Sequence, residues 1–183
     1  MLYIMRHGRT DWNDLHKLQG RTDIPLNAQG LQMAREAAQR YKDVHFDVCY
    51  TSPLRRALTT AEILLEGRDV PIIPDERLCE MCFGVFEGVE CVIDRKIEPM
   101  YTFFKHPELY TTPAEGAESL AELFARTGAF LEETVQPLLD FDMDVLIVGH
   151  GAMNSSIVCR RRHLPVSEFW SAGIENCKLM ELP

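Results

Sequence analysis

No apolar stretch in this chain approaches the roughly 18 residues that carry a helix across a bilayer, so a membrane-spanning protein is not expected. No basic leader or cleavage site precedes the first apolar run, which opens at Leu2, and a soluble, cytoplasmic protein is the expectation. Positive charge is scarce: 19 Lys plus Arg stand against 28 Asp plus Glu, for a formal net charge of −9. That balance repels nucleic acid and anionic lipid. Neither is expected as a partner, and any anionic ligand must be held by a local cluster of cations. The one basic run, Arg160-Arg161-Arg162-His163, falls where a helix following His150 should end, a place where cations are stabilising. Repeats and low-complexity tracts are absent. The six cysteines, at 49, 79, 82, 91, 159 and 177, follow no framework spacing and read as reduced thiols. Cys79-x-x-Cys82 supplies half of a zinc site with no second pair to complete it, and Phe83-Gly84 follows where a redox motif would open a helix. Both thiols are therefore read as structural.

With 183 residues, 46% of them apolar, the chain suffices for one domain, 1–183, with its own core. Short apolar runs alternate with helical patterns, the signature of βαβ units. The expected class is α/β, a three-layer α/β/α sandwich with a mostly parallel sheet. Strands are expected at Leu2 to Met5, Val48 to Thr51, Val70 to Pro74, Val145 to Gly149 and Cys177 to Leu182, the last at an edge. Asn27 is a good N-cap for a helix through Leu31, Ala34, Ala38 and Tyr41. Ser52-Pro53 reads as a cap followed by proline at the first position of a helix carrying Leu54, Ala57, Leu58, Ala61 and Leu65. A third helix carries Leu120, Phe124, Leu131 and Leu138, with Pro137 in its last turn. From 84 to 119 the chain is rich in Pro, Gly, Glu and aromatics without a sustained period; such an insertion usually covers something, and a small cap is expected there.

Arg6-His7-Gly8 ends the first apolar run, and Gly149-His150-Gly151 ends the run Val145 to Val148. Both triplets then fall at one edge of a parallel sheet, where neighbouring strands lie roughly 4.8 Å apart and where ligands of such sheets bind. The helix opening after His150 points its free amides and positive dipole end at the same crevice. An anion is the expected guest. Arg6 adds charge beside His7. Arg55-Arg56, in the first turn of a helix, opposes the macrodipole and calls for another reason, which phosphate recognition supplies: the planar guanidinium fork matches two phosphate oxygens. A lone His or Arg at a strand end is usually just a satisfied hydrogen-bonding group, but four occur here together. Paired histidines also suit a metal, yet the adjacent arginines repel a divalent ion, so no metal is expected.

The residues then resemble a known family. Arg6-His7-Gly8 followed by Thr10, Trp12 and Asn13; Gly20, Asp23, Leu26 and Gly30; Ser52-Pro53-Leu54-Arg55-Arg56-Ala57 with Thr60-Ala61; Leu78-Cys79-Glu80 with Gly84 and Glu87-Gly88; and Val148-Gly149-His150-Gly151 are similar, in order, to the motifs of the histidine phosphatase, or phosphoglycerate-mutase-like, superfamily. The short length and Glu118-Ser119 after a Pro/Gly-rich turn look most like the bacterial branch holding α-ribazole and broad-specificity phosphatases. Gln19 departs from the small hydroxyl residue common in relatives.

The resemblance implies that His7 is the nucleophile, with Arg6, Arg56 and His150 around the phosphoryl oxygens and Asn13 and Gly151 also at the phosphate. It implies that Glu80 is general acid and then base, with no cofactor. Physically, two guanidiniums and a protonated His150 would stabilise a loose transition state. The arginines would keep His7 neutral, and Cys79, Met81 and Phe83 would give Glu80 apolar neighbours. Glu87 rivals Glu80, and Arg55 rivals Arg56. Arg9, Arg21, Glu118 and Ser119 are further candidates for the pocket. Mutases of the family resemble one another in an arginine-rich stretch after the acid; here Val89 to Leu109 offers only Arg95, Lys96 and Lys105. Hydrolysis of a small organic phosphomonoester is the expectation, a phosphoglycerate-type mutase the alternative, and a silent phosphate-binding regulator the second alternative.

Overall fold

The structure, a computed structural model, describes residues 1–111 and 113–182. The chain runs β1 (Leu2–Arg6), α1 (Asp11–Asp14), α2 (Ala28–Arg40), β2 (Val48–Thr51), α3 (Arg55–Leu64), β3 (Ile72–Pro74), α4 (Met100–Lys105), α5 (Leu120–Phe130), α6 (Gln136–Asp140), β4 (Val145–Gly149), α7 (Gly151–Arg162) and β5 (Leu179–Leu182). The strands form one sheet in the order β3-β2-β4-β1-β5, parallel except for β5, which pairs antiparallel at the edge beyond β1.

Side-chain alternation divides the core into two layers of packing. Leu2 and Ile4 of β1 with Val145 and Ile147 of β4 face Leu123 and Phe130 of α5 and Ile157 of α7. Met5, Leu146 and Val148 face the opposite way, onto Ala34 and Ala37 of α2 and Ala57 and Ala61 of α3. Covered on both faces, β4 is buried along its whole length. The α/β sandwich expected from the sequence is the fold observed. No helix among the described residues is long and apolar enough to cross a membrane.

Several boundaries differ from expectation. α3 does not open behind Ser52-Pro53 but at Arg55. Ser52 Oγ accepts from Leu54 N at 3.2 Å, closing a local turn, and the first helical amide, Arg55 N, is met instead by Asp23 Oδ1 at 2.8 Å. The cap thus comes from a loop some thirty residues earlier. β5 starts at Leu179 rather than Cys177, because Cys177 sits in the left-handed region with φ 55° and spends its N–H on Arg6 O. β3 is shorter than expected by the two residues Val70 and Pro71. The third helix is not uniform: a π-helical turn over Leu131–Val135 separates α5 from α6. Pro137 brings no N–H to the carbonyl four residues back, and the ladder loosens just before it. In α2 the buried stripe is Gly30, Ala34 and Ala37 rather than Leu31, Ala34 and Ala38.

Among its described residues, the segment 84–119 contains only α4 and two short 3₁₀ turns. What orders it is aromatic. Phe103 is fully buried, with ring centroids 5.7 Å from Phe83, 5.1 Å from Tyr110, 5.9 Å from Phe169 and 5.2 Å from Trp170. These contacts tie the segment to the chain after α7.

Gly8 allows the backbone after β1 to touch α2. A Cβ there would lie 2.6 Å from the Gly30 carbonyl oxygen, and one on Gly30 would lie 2.0 Å from Arg9 O. Gly8→Ala is therefore expected to lower stability by about 1–3 kcal/mol, the usual cost of overpacking. Urea unfolding checks it: the midpoint should fall with no change in slope.

Candidate active site

The register of β1 on β4 pairs Arg6 with Gly149, and His7 N donates across the strands to Gly149 O at 2.9 Å. His7 and His150 each follow immediately, so their rings meet edge to face with centroids 5.2 Å apart. The adjacency expected from the two triplets is realised by this single register. Asn176 holds His7 from behind, its Nδ2 donating to His7 O at 2.6 Å.

A second bond sets the ring chemistry of His7. Nδ1 lies 2.6 Å from Gly8 O. A carbonyl only accepts, so Nδ1 carries the hydrogen and the lone pair of the neutral ring stands on Nε2. Burial, then Arg56 and Arg6, push the His7 pKa well below 6.5. His150 is driven the same way by burial, then by Arg56, His7, Arg6 and Arg126. Both effects favour the neutral form of the two rings in the free site. A bound dianion opposes the arginines' effect on that ring.

Arg56, in the second position of α3, is 0% exposed. Its Nη1 donates to Thr22 O at 2.8 Å and its Nη2 to Gly20 O at 2.6 Å. Burial draws its pKa down to about 10, so it remains charged at neutral pH. The loop supplying those carbonyls is itself held by Glu87. Glu87 Oε1 accepts from Arg21 N and Phe83 N at 3.0 and 3.1 Å, while Oε2 accepts from Thr22 N at 2.9 Å and from Thr22 Oγ1. Gly20, at φ +55°, leaves room for this carboxylate, which a Cβ would approach to 2.1 Å. Thr60 joins the other side: Gly8 N donates to its Oγ1, which donates to Arg56 O. The arginine is positioned from three separate chain segments.

Glu80 lies beneath the first turn of α7. Its Oε1 accepts from Met81 N at 2.8 Å and Met153 N at 3.0 Å, and its Oε2 from Ala152 N at 3.1 Å. Two expectations change here. The amides of Ala152 and Met153 in α7 are taken by this carboxylate rather than left for a ligand, and the groups around its oxygens are backbone donors. Cys79, Met81 and Phe83 are buried in their own right, Met81 and Phe83 in the main apolar cluster.

Arg6, His7, Asn13, Glu80 and Gly151 line one cavity of about 160 Å³. Arg56 and His150 lie fully buried outside its wall. Among the described residues, Arg6 Nε, Arg56 Nε and both ring nitrogens of His150 are buried without a protein partner. A buried polar nitrogen without a partner is costly, and a guanidinium in that state at the cavity wall, as Arg6 is, suits an anionic acceptor. Asn13 Oδ1 is occupied by Thr10 N and Thr10 Oγ1 at 3.0 and 3.1 Å. Gln19 also lines the cavity, with Oε1 accepting from Thr10 Oγ1 at 2.9 Å. The sequence marks Gln19 as a departure from the family pattern that bears on phosphate contact and leaves open whether it reaches the substrate.

The remaining candidates stand elsewhere. Arg55 pairs outward with Asp23 at 3.1 Å. Arg9 pairs with Asp14 at 2.6 Å, and Ser119 caps α5 by accepting from Glu122 N. Glu118 grips Arg126 through two bonds, at 2.5 and 2.9 Å, and Arg126 Nη1 donates to Arg77 O and Cys79 O just before Glu80. Arg21 lies exposed beside Glu118, its Nε reaching Glu80 O at 3.4 Å. The thiol of Cys79 is pushed up to about 11 by burial and Glu76, which suits a structural group. The basic run does close α7, with His163 in the left-handed position after it and Arg160 paired with Glu132.

The geometry has counterparts in known proteins. A family profile described as the histidine phosphatase superfamily (branch 1) matches residues 2–183. Phosphoserine phosphatase 1 of Hydrogenobacter thermophilus is 30% identical over 177 residues, covering 96% of this chain and 82% of that one. A 2,3-bisphosphoglycerate-dependent phosphoglycerate mutase of Cytophaga hutchinsonii is 32% identical over 153 residues, covering 82% of this chain and 72% of that one. Among solved structures, a mycobacterial glucosyl-3-phosphoglycerate phosphatase in complex with VO3 superposes with a TM-score of 0.85 at 28% identity, covering 97% of this chain and 90% of that one. An α-ribazole phosphatase from Shigella flexneri shares the fold, with a TM-score of 0.80 at 24% identity over 97% of this chain and 87% of that one. This chain belongs to branch 1 of the histidine phosphatase superfamily.

Proposed function

We propose that this phosphatase hydrolyses small organic phosphomonoesters through a phosphohistidine on His7, without metal or other cofactor. The observation that carries the reading is the Nδ1 contact to Gly8 O, which leaves Nε2 as the nucleophile beside the buried donors of Arg6, Arg56 and His150. In the first step Nε2 bonds to phosphorus as the ester P–O bond breaks, and Glu80 gives a proton to the departing alcohol oxygen. In the second step Glu80 takes a proton from water as its oxygen attacks phosphorus, and the N–P bond breaks to regenerate neutral His7. Charge spread over the phosphoryl oxygens in a loose transition state is met by Arg6, Arg56 and His150, with Asn13, Gln19 and Gly151 at the cavity wall. A divalent ion placed there would face two guanidiniums.

Residues 84–119 act as a cap within the one domain 1–183: Phe104 lines the cavity, and the aromatic cluster anchors the segment. Hydrolysis is favoured over phosphoryl exchange because neither Arg95, Lys96 nor Lys105 lines the cavity; Arg95 Nη1 donates to Glu90 O instead. Free thiols at all six cysteines suit a cytoplasmic setting, and the net charge of −9 disfavours nucleic acid or membrane partners.

With p-nitrophenyl phosphate, phosphate release is expected, undiminished by chelator and abolished in His7→Ala. No release at any pH between acidic and neutral would favour the silent binder, and activity restored only by added Mg²⁺ or Zn²⁺ would contradict the mechanism.

Glu87→Gln separates the two glutamates. As a brace for the loop that holds Arg56, Glu87 is expected to cost roughly tenfold or more in kcat/KM, from the 1.5–3 kcal/mol of hydrogen bonds to a charged group. The pH profile should keep its shape. Loss of the alkaline limb in Glu87→Gln but not in Glu80→Gln would transfer the acid's role to Glu87.

Stability should carry the imprint of the two imidazoles. Their native pKa values lie well below 6.5, so below that pH the unfolded chain binds protons that the native state does not. Stability therefore falls as pH drops through 6.5 toward the native values. Urea midpoints at pH 7.5 and 5.5 check this, and His150→Gln should shrink the difference.

A further inference from the structure

The cavity that His7 and Glu80 line adjoins a second of about 440 Å³, with Arg6, Asn13, Lys17, Leu18 and Phe104 lining both. A phosphoryl group held at Arg6 and Asn13 thus has the substituent of its ester oxygen beside the larger space. Much of the wall of that space is apolar, from Trp12, Leu18, Val92, Ile93 and Phe104, beside the polar Arg6, Asn13, His16, Lys17 and Asp94. Two of these rings are braced. Phe104 stacks on Trp170, centroids 5.2 Å apart at 25°, and Trp170 Nε1 donates to Phe103 O at 3.0 Å. Trp12 packs over Gly88, where a Cβ would come within 3.2 Å of the indole.

The polar groups of the second cavity offer little to another anion. Lys17 Nζ is engaged, 3.5 Å from Glu90 Oε1 and 5.8 Å from the Trp12 ring centroid. Asp94 is of the wrong sign, and His16 stands exposed at the rim. Arg6 is the one arginine lining either cavity, and the phosphoryl group claims it. A carboxylate or second phosphate entering here would lose water without gaining a guanidinium fork, whereas an apolar group gains from the surface it covers.

We infer that the second cavity receives the alcohol portion of the substrate, and that this alcohol is uncharged, largely apolar and bulkier than a three-carbon acid. The inference rests on the phosphatase reading of the same site, and a binding measurement tests it apart from turnover. Calorimetry with 3-phenylpropylphosphonate and ethylphosphonate, which carry a carbon in place of the ester oxygen, should give at least tenfold tighter binding of the phenylpropyl compound. In Ile93→Glu, an exposed wall position, that margin should shrink to less than threefold. Turnover should follow: kcat/KM for 3-phenylpropyl phosphate should exceed that for O-phosphoserine and for 3-phosphoglycerate at least tenfold, all three releasing a primary alcohol. Equal affinity for the two phosphonates, a margin untouched by Ile93→Glu, or a preference for either acidic ester overturns the inference. Tight phenylpropylphosphonate binding with no turnover of any ester overturns the hydrolase reading and leaves the cavity's preference standing.

Discussion

Everything at this site hangs from the parallel pairing of β1 with β4. Because Arg6 stands opposite Gly149, the residues that follow leave the sheet side by side, and two imidazoles with no other reason to meet share an edge. A slip of one residue would send His7 and the core residues of β1 to opposite faces. The same register carries the buried rows Leu2, Ile4 and Met5, so the hydrophobic core enforces it. The placement of the two rings is a by-product of packing.

The cluster is held together against its own repulsion. Two guanidiniums beside two rings would scatter if solvent reached them freely; instead, Arg56 spends both terminal nitrogens on backbone carbonyls, and Arg6 spends one on Ile174 O at 3.2 Å. The counter-charges, Glu80 and Glu87, are bound to main-chain amides rather than to the arginines. The two guanidiniums therefore keep their charge beside the rings without being quenched by direct ion pairs to these glutamates, and Arg6 lines the cavity. This is preorganisation: the cost of orienting the groups is met during folding.

The strand-end triplets, the Asn27 cap and the alternation of strand and helix were legible because each is written in a few adjacent residues. Asn27 does accept from Gly30 N as a capping residue should. What escaped sequence reasoning is what distant segments supply. The cap of α3 comes from Asp23, the partner of the Ala152 and Met153 amides of α7 is Glu80, and the brace on Arg56's loop is Glu87. Local propensity favours Ser52 as a cap, but a carboxylate delivered by the fold wins. Glu80's apolar sequence neighbours misled for the same reason: along an irregular stretch, adjacent side chains point to different surroundings. The protonation state of His150 depends on burial, which no motif records.

Under the proposed mechanism Glu80 has two duties that pull on natural selection differently. His150 provides no side-chain cap for α7, so the glutamate also closes the start of a helix whose residues 152–159 are all buried. A descendant that abandoned phosphorus chemistry would still be favoured for keeping this residue, since its loss would loosen the helix against the sheet. Persistence of the glutamate across a lineage is consequently poor testimony of turnover; His7, whose ring caps nothing, is the better witness.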